Sequence, residues 1–431
     1  MEFQQGDKIK VIAKDREYEG IVMPNETENL VIKLDNGYNV GIDKKNIVKT
    51  ELIEKFKPVE RKEEEPEPKK GLPSILILHT GGTIASKVDY RTGGVIARFE
   101  PEEILNMFPE LKEIANIDSK LMTNVWSENI TFKHLKKWAE LIADVIKKNG
   151  AFKGIIMTQG TDVLTSTSAA LALMLQNCPI PVILVGAQRS SDRGSSDAAM
   201  NLICAAEFIA KTDFTGVAVC MHEKEDDTFC HILPPCKARK MHSSRRDAFR
   251  PINTKAYARV DYNTREIEWV DKPEIKQAEF KLMPEMEEKV GLVKTYVNFN
   301  PKLFEAFKGY KGLIIEGTGL GQAPVFTQDK DSEQNELNFN ALKELIESGT
   351  IVFMTTQTIY GSVQMHVYSA GVDLVKAGVM EAKMLAETAY IKLAWLLGNF
   401  GNKDKEKIKE LMQKDFVGET FARIEEDTFL I

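Results

Sequence analysis

The sequence predicts an α/β protein: two α/β domains with largely parallel sheets, preceded by a small SH3-like or Sm-like β-barrel. Three observations carry this reading. The first 54 residues hold only short alternating or β-branched segments. A charged, proline-bearing stretch follows. From residue 73, apolar strands then alternate with helical periods.

Residues 6–54 contain the segments DKIKVIAK, YEGIVM, LVIKLD and YNVGI, separated by the turn pairs Pro24-Asn25 and Asn36-Gly37. Four or five strands in so short a stretch suit a small barrel, and no helix of useful length fits there. Residues 55–72, KFKPVERKEEEPEPKKGL, carry eleven charges and three prolines in 18 positions. Such a stretch cannot bury enough apolar surface to offset ordering, so it reads as a semi-extended linker with no binding role.

Beyond the linker, SILILHT, GIIMTQG, PVILVGA and GVAVCMH read as strands, and 101–115, 131–148, 164–177 and 196–211 as helices. Continuous apolar strands buried on both faces indicate a parallel sheet covered by helices. Residues 253–287 are charged and poorly periodic and suit an interdomain connection. From about 288 the alternation restarts: GLVKTYV, GLIIEG and TIVFMTT as strands, with helices over 301–308, 335–348 and 379–397. The last of these has apolar residues at helical spacing and suits packing in a core or between protomers. The expected divisions are therefore 1–54, 55–72, 73–287 and 288–431, about the number of domains that 431 residues suggest.

Composition narrows the class. A chain that is 43% hydrophobic and 28% charged is an ordinary globular one, long enough to fold without disulfides or metal. A net charge of −7 argues against coating nucleic acid by bulk charge; a local basic patch or a nucleic-acid-binding partner stays open. Five cysteines, an odd count, fit a reducing cytoplasm better than a disulfide framework. The first residues hold no apolar core of signal-peptide length, and no run of 18 apolar residues suggests a membrane span.

Three strand ends collect hydroxyls, carboxylates and glycines: Thr80-Gly81-Gly82-Thr83-Ile84-Ala85, Thr161-Asp162, and Gln188-Arg189. Singly, each has a plainer explanation, a tight turn for the glycines and a helix N-cap for Thr-Asp. Together, at the carboxyl ends of successive parallel strands, they point into one crevice. A threonine hydroxyl needs an activating base. None of the six histidines is well placed for it; His79, at the end of an apolar strand, reads as a core residue. A lysine or a tyrosyl phenol could serve instead. Lys240 lies in the cationic run ARKMHSSRR, whose plainer reading is a solvated basic face.

TGGTIA (80–85), TQGTD (158–162), VGAQR (185–189) and a lysine near 240 resemble the bacterial-type L-asparaginase family over about 73–431. The resemblance implies an asparaginase-like fold and a set of roles. Thr83 attacks the side-chain amide, and Tyr90, in a lid segment shorter here than in the family, activates it. Thr161, Asp162 and Lys240 activate a threonine hydroxyl or the resolving water. Ser127 receives the substrate α-carboxylate, Asp162 and Glu128 the α-ammonium, and backbone N–H groups of Gly82 and Thr161 the oxyanion.

The barrel segments YEGIVMP and KLDNGYNVGI, the TQGTDVLTSTSAAL stretch and the KMHSSRRDAF run are further similar to the D-subunit (GatD) family of archaeal Glu-tRNA(Gln) amidotransferases. That similarity implies a glutaminase that supplies ammonia to a kinase–transferase partner, the amidotransferase E subunit, within a cytoplasmic heterotetramer containing a homodimer of this chain. L-glutamine would be the substrate. Glu-tRNA(Gln) would be met mainly through the partner, ATP and Mg2+ would belong to the partner, and this chain would carry no cofactor or metal.

Two alternatives stand beside it: a free-standing cytoplasmic L-asparaginase with an accessory domain, and a non-enzymatic RNA-binding adaptor. Retention of Thr83, Thr161, Asp162 and Lys240 together counts against the latter. Cys220-x-His222 and Cys230-His231-x4-Cys236 lack the paired spacing of a zinc site. Gly319-x-Gly321 follows a strand, but the residues after it do not open a helix, so a dinucleotide loop is weakly supported. No P-loop is found.

Overall fold

The structure, a computed structural model, describes residues 3–4, 6–23, 29–34, 39–56, 69–81, 86–88, 95–97, 108–148, 151–189, 196–274, 278–401 and 404–429. The chain divides into two compact units, one spanning 1–70 with 86–96 and the other 71–85 with 97–431. Most of the linker expected at 55–72 lies outside the described residues.

The first unit contains a five-stranded antiparallel sheet. Its strands run in the order Asn39–Ile42, Leu30–Leu34, Glu17–Val22, Lys8–Ala13 and Ile47–Glu54, with a 3-10 turn at Lys44–Asn46. Alternation sets its core: Ile9, Val11 and Ala13 turn inward with Val22, Ile32 and Ile42, while Lys8 and Lys10 pair with Glu19 and Glu17 across the outer face. The Asp7 carboxylate accepts hydrogen bonds from the Gln4 and Phe56 N–H groups, which tie both ends of this sheet together. The short strands Ser86–Val88 and Val95–Ala97 pair with each other.

The second unit is built on an eight-stranded sheet. Five strands are mutually parallel, in the spatial order Asn116–Leu121, Ser74–His79, Gly154–Thr158, Pro181–Val185, Gly216–His222. Numbered along the chain, this order is 2-1-3-4-5, so the path reverses between the strands Ser74–His79 and Gly154–Thr158. Phe229–Leu233, Ala258–Asp261 and Ile267–Trp269 extend the sheet antiparallel.

Side chains leave each central strand alternately. Ile75 and Ile77 enter the core under the helix Ala198–Lys211, while Leu76 and Leu78 enter the core under Phe132–Lys147 and Leu164–Met174. This is why these strands read as continuous apolar runs.

The second α/β sheet is wholly parallel: Val290–Lys294, Gly312–Gly317, Ile351–Thr356, Met380–Glu381. Its helix Ala386–Phe400 packs on Leu164–Met174, so one apolar core runs through both α/β sheets.

Several expectations need correction. Only Leu111–Ile114 is helical among the described residues of 101–115, and the strand Asn116–Leu121 that follows was not foreseen. It is a polar edge strand, NIDSKL, without the apolar signature of its neighbours. Residues 253–287 are not merely a connection, because Ala258 and Val260 alternate with Arg259 and Asp261 and complete the sheet. The helix expected over 379–397 is two elements, preceded by a separate helix. Ser369–Ala377 ends at Gly378, whose φ of 107° suits glycine; Met380–Glu381 is an edge strand; Ala386–Phe400 follows. Phe353 and Met354 capture the intervening residues as a strand, and tertiary pairing overrides local helix preference. Residues 301–308 hold one short turn of helix at Lys302–Glu305, and the helix Leu164–Met174 stops short of 177. The helix Lys405–Gln413 was not foreseen.

The C-terminal segment is pinned by a dry ion pair. Lys392 Nζ lies 2.6 Å from Glu419 Oε1, and both side chains are fully buried. The ammonium also donates to the Met412 and Lys414 carbonyls, and the carboxylate accepts from the Phe416 and Val417 N–H groups. Burial pushes the Lys392 ammonium down and the Glu419 carboxyl up, against their mutual attraction. Removing one partner leaves an uncompensated buried group. Lys392→Met and Glu419→Leu are each expected to cost about 3–5 kcal/mol in denaturant titrations, and the double variant K392M/E419L less than the sum of the two.

Candidate active site

Parallel sheets leave a crevice where the chain path reverses, beyond the carboxyl ends of the strands. Here that point lies between His79 and Thr158, the last residues of two adjacent strands. Thr80 continues the first strand: its N–H and its hydroxyl both donate to the Thr158 carbonyl, at 3.1 and 2.9 Å. Gly81 then turns with φ 100°, and a Cβ there would sit 2.8 Å from the Val125 carbonyl oxygen. No other residue fits this approach without moving the segment that follows Asn116–Leu121. That segment is held in turn by Val125 N–H donating to the Thr80 carbonyl, and it delivers Ser127 on a 3-10 turn, Ser127–Asn129.

Thr161 and Asp162 follow the strand Gly154–Thr158 directly. Lys240 ends the strand Ala238–Lys240 and pairs in register with Phe249, which fixes its reach toward the sheet. Its Nζ lies 2.9 Å from Thr161 Oγ1 and 2.8 Å from Asp162 Oδ1. Asp162 N–H donates to Ser127 Oγ at 3.3 Å, and Ser127 Oγ lies 3.4 Å from Asp162 Oδ2. Ser127 and Thr161 are buried, and the Lys240 side chain is 15% exposed against 62% for Asp162. The group is thus anchored on its inner side and open to water on its outer side.

Four of the anticipated residues, Ser127, Thr161, Asp162 and Lys240, therefore form one hydrogen-bonded group. Glu128 is adjacent in sequence but exposed, and stands outside that group. Gly82, Thr83 and Tyr90 lie outside the described residues.

His79 is a core residue, hydrogen-bonded at both ring nitrogens, to Thr158 Oγ1 and Ser119 Oγ at 2.8 Å each. The cationic run after Lys240 is not a free basic face. Arg245 and Arg250 both bind the buried Asp247 carboxylate, and Arg246 binds Asp227 at 2.6 Å. Cys220 and Cys230 are fully buried and donate to Asn201, and burial raises both thiols. Among the described residues, no group of three or more His, Cys, Asp or Glu is placed to hold a metal ion. No described helix is long and apolar enough to cross a membrane.

Sequence reasoning missed how VGAQR is used. A Cβ on Gly186 would lie 2.7 Å from the Thr161 methyl, so only glycine lets this strand end press on Thr161. Downstream, the buried Asp197 carboxylate accepts from the Gln188 and Arg189 N–H groups and holds the loop. The available signal was Asp197 and Asn201 four residues apart at the start of an apolar helix.

The chain matches three family descriptions in order: GatD N-terminal domain over residues 3–53, Asparaginase, N-terminal over 74–274, and Glutaminase/Asparaginase C-terminal domain over 289–412. It is 44% identical to the D subunit of the glutamyl-tRNA(Gln) amidotransferase from Pyrococcus furiosus, covering 99% of this chain and 97% of that one. The chain belongs to the GatD family of glutamyl-tRNA(Gln) amidotransferases. A second GatD relative, from Archaeoglobus fulgidus, is 43% identical over 96% of this chain and 95% of that one. Among solved structures, the thermostable L-asparaginase from Thermococcus kodakarensis matches 81% of this chain and all of its own, with TM-score 0.72 and 29% identity. A probable cytoplasmic L-asparaginase from Campylobacter jejuni matches 80% of this chain and all of its own, with TM-score 0.66 and 25% identity. The GatD family thus joins an asparaginase-like α/β body to an N-terminal β domain.

Burial holds His79 neutral, lowering its pKa from 6.5 to about 4. The unfolded chain then binds the proton that the folded chain refuses, so stability falls as pH drops from 6.5 and the penalty is complete below about 4. That difference amounts to about 3 kcal/mol. His79→Asn should lose about this much of the stability difference between pH 7 and pH 4, read from denaturant midpoints at the two pH values.

Proposed function

We propose that the chain is the glutamine-hydrolysing subunit of the amidotransferase that converts Glu-tRNA(Gln) to Gln-tRNA(Gln). The observation that carries this is a coincidence on one chain. The Thr161–Asp162–Lys240 group sits at a sheet reversal of an asparaginase-like body, and that body follows the N-terminal β domain shared with GatD relatives.

In this reading Thr83 Oγ attacks the side-chain amide carbon of L-glutamine, with its proton drawn off through Tyr90. Backbone N–H groups of Gly82 and Thr161 hold the oxyanion. The C–N bond breaks, ammonia leaves with the proton it needs, and a glutamyl ester remains on Thr83. Water then attacks that ester, the Thr83 oxygen regains a proton, and glutamate departs.

Lys240, as placed, donates to both Thr161 and Asp162. Acting as the neutral amine, it takes a proton from the Thr161 hydroxyl, which takes one from the resolving water, and the same proton returns to the Thr83 oxygen as glutamate departs. Ser127 faces the substrate α-carboxylate, and Asp162 with Glu128 the α-ammonium. The 62% exposure of Asp162 suits a group that must meet a solute.

The ammonia would pass to a kinase–transferase partner, the amidotransferase E subunit, which would hold ATP and Mg2+ and meet most of the tRNA. This chain would bind no cofactor or metal and would pair as a homodimer within a cytoplasmic heterotetramer. The acid-paired arginines that follow Lys240 fit that division, since their charges are already matched within the chain. Residues 1–54, 55–72, 73–287 and 288–431 serve as accessory β domain, linker, threonine-bearing α/β domain and smaller α/β domain.

The test is hydrolysis of L-glutamine and L-asparagine by the purified chain, alone and with the partner and charged tRNA. Glutaminase stimulated by both additions is expected. Full-rate asparagine hydrolysis without any partner effect would instead favour a free-standing asparaginase, since one methylene separates the two substrates by only about 1–3 kcal/mol. Thr83→Ala and Thr161→Ala should each lose at least about a hundredfold in kcat; two variants at wild-type rate would remove both threonines from the mechanism. Gly186→Ala, which drives a methyl into Thr161, should lower turnover by about a hundredfold while glutamine binding persists.

A further inference from the structure

We propose that Asn201 is a positioning residue for Thr161, acting through the backbone of Gly186. Asn201 is fully buried in the first turn of the helix Ala198–Lys211, away from the substrate crevice. Its Nδ2 donates to the Gly186 carbonyl at 3.0 Å and to Asp197 Oδ2 at 3.2 Å. Its Oδ1 accepts from His222 Nδ1 at 2.6 Å and from the Cys230 thiol at 3.3 Å.

The amide can sit only one way round. The Gly186 carbonyl and the Asp197 carboxylate are acceptors, so the amide nitrogen must face them. The oxygen then requires a donor from His222, which fixes the ring as the Nδ1–H form. Burial lowers the His222 pKa, and the Asp197 and Asp227 carboxylates oppose that shift. Every hydrogen-bonding position of the Asn201 amide is therefore used, in a dry setting where a lost bond is costly.

What the arrangement holds is the strand end that touches Thr161. The chain passes Gly186 with no side chain, and an added Cβ would stand 2.7 Å from Thr161 Cγ2 and 3.1 Å from Leu164 Cδ1. The Thr161 methyl is thus wedged against the Gly186 backbone while its hydroxyl meets Lys240 Nζ at 2.9 Å. Threonine has two heavy atoms on Cβ, so a wall against the methyl selects the χ1 rotamer and hence the direction of the hydroxyl. Asn201 from behind, with Asp197 gripping Gln188 and Arg189 just beyond, keeps that wall in place. If the wall withdraws, Thr161 can rotate, and its hydroxyl leaves the lysine.

The inference rests on the role proposed for Thr161. The experiment measures glutamine hydrolysis by the complete chain with its partner, for Asn201→Ser and Asn201→Asp in the wild-type and Thr161→Ser backgrounds. Asn201→Asp keeps the size and the acceptor half of the amide, removes the donor and sets a second carboxyl against Asp197, whereas Asn201→Ser shortens the side chain without adding charge. Each variant should lower kcat at least about tenfold, with KM within about twofold, because the groups that hold substrate are untouched. Thr161→Ser keeps the hydroxyl but lacks the methyl on which the wall acts. In that background the Asn201 variants should change kcat by less than about twofold.

Equal fold-losses in both backgrounds would overturn the proposal, as would a loss carried by KM. Failure of both Asn201 variants to fold, read by thermal unfolding, would assign the residue to the fold and overturn it too. A Thr161→Ala variant of full activity would sink the underlying reading of Thr161, an outcome distinct from all of these.

Discussion

The site depends on a reversal in the order of parallel strands. The chain passes from Ser74–His79 to one side, at Asn116–Leu121, and then to the other, at Gly154–Thr158. The loops leaving His79 and Thr158 must therefore diverge, one toward each flank of the sheet, and the gap between them needs no cavity to be carved from the core. Into it come Ser127 from the far side of the reversal, Thr161 and Asp162 from the near side, and Lys240 from a hairpin outside the sheet. Were the strand Asn116–Leu121 absent or moved to the opposite edge, Ser127 could not reach Asp162.

A crevice of this kind is useful only if its walls are close, and here the closeness is set by glycines. At Gly81 the positive φ and the Val125 backbone both exclude a side chain. At Gly186 the exclusion is purely spatial, and the occupant of the space is the Thr161 methyl. The two glycines act on the same crevice from different strands. Each trades side-chain packing for backbone proximity, which is a stiffer constraint because carbonyl and amide groups cannot change rotamer.

Much of this was legible in the residues. Buried parallel strands announce themselves as apolar runs, and SILILH, GIIMT, PVILV and GVAVCMH are all strands. The grouping of Thr161 and Asp162 with Lys240 followed from motif resemblance, and the geometry supplies the contacts. What escaped notice was information that exists only between elements. Asn116–Leu121 is polar because it lies at an edge, so its local pattern does not distinguish it from a loop. Met380–Glu381 is a strand only because Phe353 and Met354 pair with it. Asn201 looks like any polar residue in the first turn of a helix until the groups around its amide are known. Charge misled in the same way: ARKMHSSRR reads as a basic face, but its last two arginines are matched by Asp247 and Asp227.

Two ion pairs show how burial separates architecture from chemistry. Lys392 and Glu419 are dry on all sides and saturated by backbone groups, so neither can move or exchange protons without loss of structure. Lys240 and Asp162 share nearly the same nitrogen–oxygen distance, but the carboxylate faces water. With one partner open to water, the pair contributes less to stability than a dry one, because solvent screens the carboxylate. What it retains is responsiveness. In the proposed mechanism, a substrate that covers Asp162 would displace that water, lower the local dielectric and strengthen each contact around Lys240. The weakness of the pair in the uncovered site is therefore what leaves binding free to change it.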